Sequence, residues 1–135
     1  MPLTKINKVD RILVIDDDVE LCSLVGEYLE PEGFQIEAVH DGNRGLDRAL
    51  NGDHLLIVLD VMLPGMNGFD LAKRLVELRP GTRVLVTSGY TGAPTTLREI
   101  LDGGMAYLSK PYTPDVLAAK VRAVIDGPTN GHSPS

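Results

Sequence analysis

The chain has 135 residues, a length that suits one domain of ordinary size. Hydrophobic residues make up 43% and charged residues 24%, a globular balance, and the net charge of −6 argues against nucleic-acid binding by bulk charge. The single cysteine, Cys22, excludes an intrachain disulfide; no apolar run approaches the roughly 20 residues of a membrane-spanning helix, and Met1-Pro2-Leu3-Thr4-Lys5 lacks the apolar core of a signal peptide, so a cytoplasmic protein is expected.

Residues 1–10 read as a polar lead-in, 11–126 as one domain, and 127–135, rich in Gly, Pro and Ser, as a flexible tail or linker stub. Arg11 to Ile15 is a short apolar run ending in Asp16-Asp17-Asp18, which predicts a buried strand with acids at its carboxyl end. Val19, Leu21, Leu24, Val25, Tyr28 and Leu29 predict a first helix over 19–30, capped by Asp17 or Asp18, with Cys22 in its core and Pro31 and Gly33 as the stop. Phe34, Ile36 and Ala38 alternate with Gln35 and Glu37, as in a half-exposed edge strand. Asp41-Gly42 turns into a second helix over 43–51, with Leu46, Ala49 and Leu50 inward. Leu55 to Leu59 is unbroken and apolar and ends at Asp60, so it predicts a central strand buried on both faces.

Pro64 and Gly65 force a loop, and Phe69 to Leu78 carries a third helix. Arg83 to Val86 predicts a fourth strand that stops at Thr87-Ser88-Gly89. A fourth helix opens near Pro94 and stops at Gly103-Gly104; Met105 to Leu108 is a fifth strand closed by Lys110-Pro111. Pro114 opens a fifth helix with Val116, Leu117, Val121, Val124 and Ile125 on one face. Alternating strands and helices with short connections predict an α/β, flavodoxin-like (βα)5 doubly wound parallel sheet in the order 2-1-3-4-5.

That order brings the carboxyl ends of strands 1 and 3 together, and with them Asp16, Asp17 and Asp60. Like charges so placed need a cation or a raised pKa, and an all-oxygen donor set points to Mg²⁺ rather than zinc. Thr87 and Lys110 end neighbouring strands on the same side. A bound ion, an ammonium and a hydroxyl can neutralise a phosphoryl group while one carboxylate acts as nucleophile. Taken singly, each residue has a simpler role: the acids as helix or turn caps, Thr87 as a loop hydroxyl, Lys110 as a solvated lysine. Their joint placement at strand ends favours a site. His40, His54 and His132 have no partner at metal-ligand spacing and read as surface residues.

These residues resemble bacterial response-regulator receiver domains, over about residues 10–126. Asp16-Asp17 match the family's acidic pair, Asp60 in Leu-Asp-Val-Met-Leu-Pro-Gly its phosphoacceptor, Thr87-Ser88 its switch hydroxyl and small neighbour, Lys110-Pro111 its lysine and a proline that can be cis, and Tyr107 its switch aromatic. The resemblance implies that Asp60 takes a phosphoryl group from a sensor histidine kinase or phosphotransfer protein. It implies Mg²⁺, with Mn²⁺ as the alternative, on Asp17, Asp60 and the backbone carbonyl of Met62, with Asp16 acting through water. Thr87 and Lys110 then contact the acyl phosphate, and Tyr107 turns inward, changing the surface of the fourth helix, fifth strand and fifth helix.

Glu20-Leu21-Cys22 and Asn67-Gly68-Phe69 are similar to receivers of winged-helix transcription factors, but Met105-Ala106 stands where that class carries an acidic pair. Thr87-Ser88-Gly89-Tyr90 looks more like receivers attached to hybrid histidine kinases. Charge-paired dimerisation is therefore expected to be weak, leaving a monomer or weak dimer. Met105 and Ala106 would offer an apolar contact to an effector absent from this sequence, and Lys120 and Arg122 would lack those acids to meet. The competing reading is a phosphatase that forms an aspartyl phosphate; it would want a second acid two residues after the nucleophile, where Met62 stands. A flavodoxin-like cofactor binder would want a phosphate loop where Asp16-Asp17-Asp18 would repel a phosphate.

Overall fold

The computed structural model describes residues 10–63, 68–89 and 105–127. Five strands, β1 (Arg11–Ile15), β2 (Gln35–Val39), β3 (Leu56–Asp60), β4 (Arg83–Ser88) and β5 (Ala106–Ser109), pair in parallel in the order 2-1-3-4-5. The described helices are α1 (Val19–Leu29), α2 (Gly42–Asn51), α3 (Gly68–Leu78) and α4 (Pro114–Asp126), the last being the fifth helix of the sequence reading. The loop at Pro64–Asn67, the helix expected from Pro94, the segment around Tyr90, the Gly103-Gly104 stop, His132, and the lead-in and tail outside residues 10–127 lie outside the described residues.

Period-two alternation splits the central strands between two cores. Leu13, Ile15, Ile57, Leu59, Val84 and Val86 face one layer, where Ala49 of α2 and Leu71, Ala72 and Leu75 of α3 pack. Ile12, Val14, Leu56, Val58 and Leu85 face the other, against Cys22, Val25 and Leu29 of α1 and Leu117 and Val121 of α4. β1, β3 and β4 are covered on both sides, which is why their sequences are apolar without a break. β2 lies at the edge and is half wet, although Val39 rather than Ala38 is its buried residue.

Helix α1 buries the stripe Cys22–Val25–Leu29, not the broader set expected from spacing: Val19, Leu24 and Tyr28 are exposed. Leu50 and Val116, also expected inward, are exposed, as is Leu78 at the end of α3. A 3-10 turn over Glu30–Glu32 follows α1, and Gly33 ends it at φ 102°, a conformation that favours glycine. β4 runs two residues past the expected Val86, so Thr87 and Ser88 belong to the sheet. β5 begins one residue later than expected.

Met105 is 3% exposed and belongs to the same core as Val84 and Val86, so it cannot supply the exposed apolar contact the sequence suggested. Arg122 is engaged as well, 3.5 Å from Glu32 and over the Phe34 ring. His54, expected at the surface, is buried: its Nε2 donates to Glu37 at 2.9 Å, and its ring lies against Gly52, where a Cβ would come within 2.3 Å of Cε1.

Candidate functional site

The three consecutive acids after β1 take three different positions. Asp16 turns inward and is buried; its Oδ1 accepts the Asp18 N–H at 2.9 Å. Asp18 is the N-cap of α1, its Oδ1 accepting the Leu21 N–H at 3.0 Å, an arrangement worth about 1 kcal/mol. Asp17, between them, is exposed, and among the described residues no hydrogen bond or ion pair holds its carboxylate.

Asp60 ends β3 directly opposite Thr87 of β4. Its Oδ1 accepts the Met62 N–H at 2.9 Å, tying the carboxylate to the turn that follows the strand, and the Val61 N–H donates to the Thr87 carbonyl at 3.1 Å. Gly68, the first residue of α3, packs against that turn: a Cβ there would lie 2.4 Å from Val61 Cα. A side chain would push apart the Asp60 turn and the start of α3.

Lys110 follows β5. Its N–H donates to the Ser88 carbonyl at 2.9 Å and its peptide bond to Pro111 is cis. Its ammonium reaches back across the sheet end to Asp16 Oδ2 at 2.8 Å and Asp60 Oδ2 at 3.2 Å. The electrostatics are asymmetric. Burial opposes the Lys110 charge, yet the hydrogen bond to Asp16 and the charges of Asp16 and Asp60 outweigh it and raise the ammonium above the ordinary lysine range. Asp16 is raised too: its burial outweighs the Lys110 and Asp18 hydrogen bonds, and the Asp60 charge adds to it. The ammonium gains from two acids, while Asp16 stays on balance uncomfortable as an anion.

Oxygens of Asp16, Asp17 and Asp60 all lie within 4.8 Å of one another, a hard donor set that fits a divalent cation with oxygen preference. Thr87 is fully buried beside Asp60, and its Oγ1 has no hydrogen-bond partner among the described residues. A buried hydroxyl without a partner is costly. Tyr107, opposite Val86 in the β4–β5 ladder, is partly buried against the core that contains Met105. Cys22 lies in the helix core and His40 at the surface, as expected, but spacing did not reveal that both reach the Asp16 carbonyl: His40 Nδ1 lies 3.0 Å from it and the Cys22 thiol 3.6 Å. Burial, then the Asp16 and Asp18 charges, push that thiol up to about 11, so it is an S–H at neutral pH. An isolated histidine carries no periodic signal, and its contact depends on the β1–β2 register.

A family model described as the response regulator receiver domain matches residues 12–122. Transcriptional regulatory protein TcrA of Mycobacterium tuberculosis is 40% identical over 115 residues, which cover 84% of this chain and 45% of TcrA. A CheY-like response regulator receiver domain protein from Methanospirillum hungatei has a TM-score of 0.82 at 31% identity, covering 88% of this chain and 95% of that one. A response regulator protein from Burkholderia pseudomallei, with a phosphorylated aspartic acid, calcium ion and citrate, has a TM-score of 0.72 at 27% identity, covering 84% and 71%. The chain spans about half the length of the curated relatives it matches. No helix among the described residues is long and apolar enough to cross a membrane.

Proposed function

Because the chain belongs to the response regulator receiver domain family of two-component systems, we propose that Asp60 accepts a phosphoryl group from a phosphohistidine of a sensor histidine kinase or phosphotransfer protein. The observation that carries this reading is the Lys110 ammonium bridging Asp16 and Asp60 beside the buried Thr87 hydroxyl, which has no partner among the described residues. The Asp60 carboxylate forms the new O–P bond as the N–P bond breaks, and the imidazole leaves with a proton from solvent. Lys110 neutralises the oxygens of the transferring group and Thr87 Oγ1 donates to one of them.

Mg²⁺, or Mn²⁺ in its place, would be held by Asp17, Asp60 and the Met62 carbonyl, with Asp16 acting through water. Bound there, the cation supplies positive charge to the phosphoryl oxygens. The same groups would promote loss of the phosphoryl group to water, so the domain is a switch rather than a metabolic enzyme.

Movement of Thr87 toward the acyl phosphate would free space for Tyr107 to turn inward, altering the surface that includes β5 and α4. Because Ala106 carries no charge and Arg122 is already engaged, charge-paired dimerisation through that surface would be weak. The protein would act in the cytoplasm as a monomer or weak dimer, signalling to an effector domain or protein. Thermal shift with and without Mg²⁺ tests the metal half of this reading. Wild type should gain a Mg²⁺-dependent shift, and Asp17→Asn should lose most of it; a full shift in the variant would move the cation elsewhere.

A further inference from the structure

We propose that His40 is a positioning residue for the cation site, holding the Asp16–Asp17 peptide so that the Asp17 carboxylate points at Asp60; this rests on the metal reading above. The Asp17 side chain is exposed and has no partner among the described residues, so its aim is set by the backbone. That backbone is pinned from several sides. The Asp16 N–H donates to the Val39 carbonyl at 3.0 Å, and the Asp18 N–H donates to the Asp16 carboxylate at 2.9 Å.

The remaining freedom is rotation of the peptide plane between Asp16 and Asp17, and its carbonyl is the oxygen on which His40 Nδ1 sits at 3.0 Å. A carbonyl only accepts, so the Nδ1 carries the proton. The Cys22 thiol also reaches this oxygen, but at 3.6 Å and as a weak donor. His40 is therefore the strong side-chain donor there.

Incidental surface contact is the competing explanation. Two features speak against it. Val39 ends the edge strand and His40 follows it, so two consecutive residues grip Asp16 by its N–H and by its carbonyl. The pinned peptide is also the one that joins the two acids of the cluster whose oxygens lie within 4.8 Å of Asp60. Groups that orient ligands from outside the coordination sphere tune metal affinity in this way. His40 is exposed, so replacing it leaves both cores intact.

The test is a Mg²⁺ titration of the whole chain at pH 7.5, followed by amide chemical shifts, for wild type, His40→Ala and His40→Asn. The asparagine side-chain nitrogen hangs from Cγ as Nδ1 does and can donate from nearly the same place. His40→Ala should weaken Mg²⁺ binding about three- to ten-fold, within what one lost hydrogen bond can do, with little change in the metal-free unfolding midpoint. His40→Asn should recover most of that affinity. In metal-free protein the Asp17 amide resonance should move in the alanine variant and return in the asparagine variant. Equal Mg²⁺ affinity in His40→Ala and wild type overturns the proposal, as does equal weakening in both variants. Wild type that fails to bind Mg²⁺ at all overturns the metal reading itself, and this inference with it.

Discussion

Replacing Lys110 by methionine removes the ammonium but keeps most of its buried stem. Asp16 and Asp60, 3% and 4% exposed, then face each other without a cation. With oxygens within 4.8 Å and an effective dielectric of about 20, their repulsion is about 3.5 kcal/mol, in line with the usual cost of deleting one partner of a buried pair. Metal-free Lys110→Met should therefore lose on the order of 3 kcal/mol in urea unfolding at pH 7.5. Asp16 sets the pH dependence. Its carboxyl is raised, chiefly by burial, with the Lys110 hydrogen bond pulling it down. A raised acid favours the folded state below its unfolded value of 3.8 and loses that advantage as pH rises through the folded value. Without Lys110 the carboxyl rises further, so the deficit of the variant should shrink as pH is lowered from 7.5 toward 4.5. Saturating Mg²⁺, or Asp16→Asn in the same chain, should also reduce it. A deficit indifferent to pH, to Mg²⁺ and to the second substitution would refute the reasoning.

Gly68→Ala should destabilise by about 1–3 kcal/mol, the usual range for overpacking, because the new Cβ meets Val61 backbone that cannot rotate away. It should also weaken Mg²⁺ binding by moving the Asp60–Met62 turn, and unchanged urea unfolding would contradict the close approach. Glu37 is held by Arg48 first, against burial, and then by His54, which together bring its carboxyl from 4.5 down to about 2. Such a lowered acid stabilises the fold above 4.5 and loses the contribution as pH falls toward 2. Discounted for a third-exposed side chain, the effect is about 1 kcal/mol, so Glu37→Gln should flatten the acid limb of the stability profile; an acid limb like that of wild type would show the network contributes nothing.

The sheet order was legible because the unbroken runs at Ile12–Ile15, Leu56–Leu59 and Val84–Val86 mark strands covered on both faces, while Gln35–Val39 is half wet and must lie outside them. The acids were legible as a group, since each follows such a run. What failed was finer than period. Apolar residues on α1 form two adjoining stripes, and spacing alone does not say that Cys22–Val25–Leu29 is the buried one. Met105 is buried in the core that also holds Val84 and Val86, a packing between segments distant in sequence that spacing does not reveal. His54 was misplaced at the surface because its burial needs Glu37 from the edge strand and the bare backbone of Gly52, neither of which announces a histidine site.

The claim at the centre of this account is that Asp60 is the phosphoacceptor, and mass measurement after exposure to a small acyl phosphate with Mg²⁺ tests it most directly. Intact mass should rise by one phosphoryl group, peptide mapping should place it on Asp60, and Asp60→Asn should gain none. Equal labelling of the asparagine variant, or a phosphoryl group on any other residue, would contradict it.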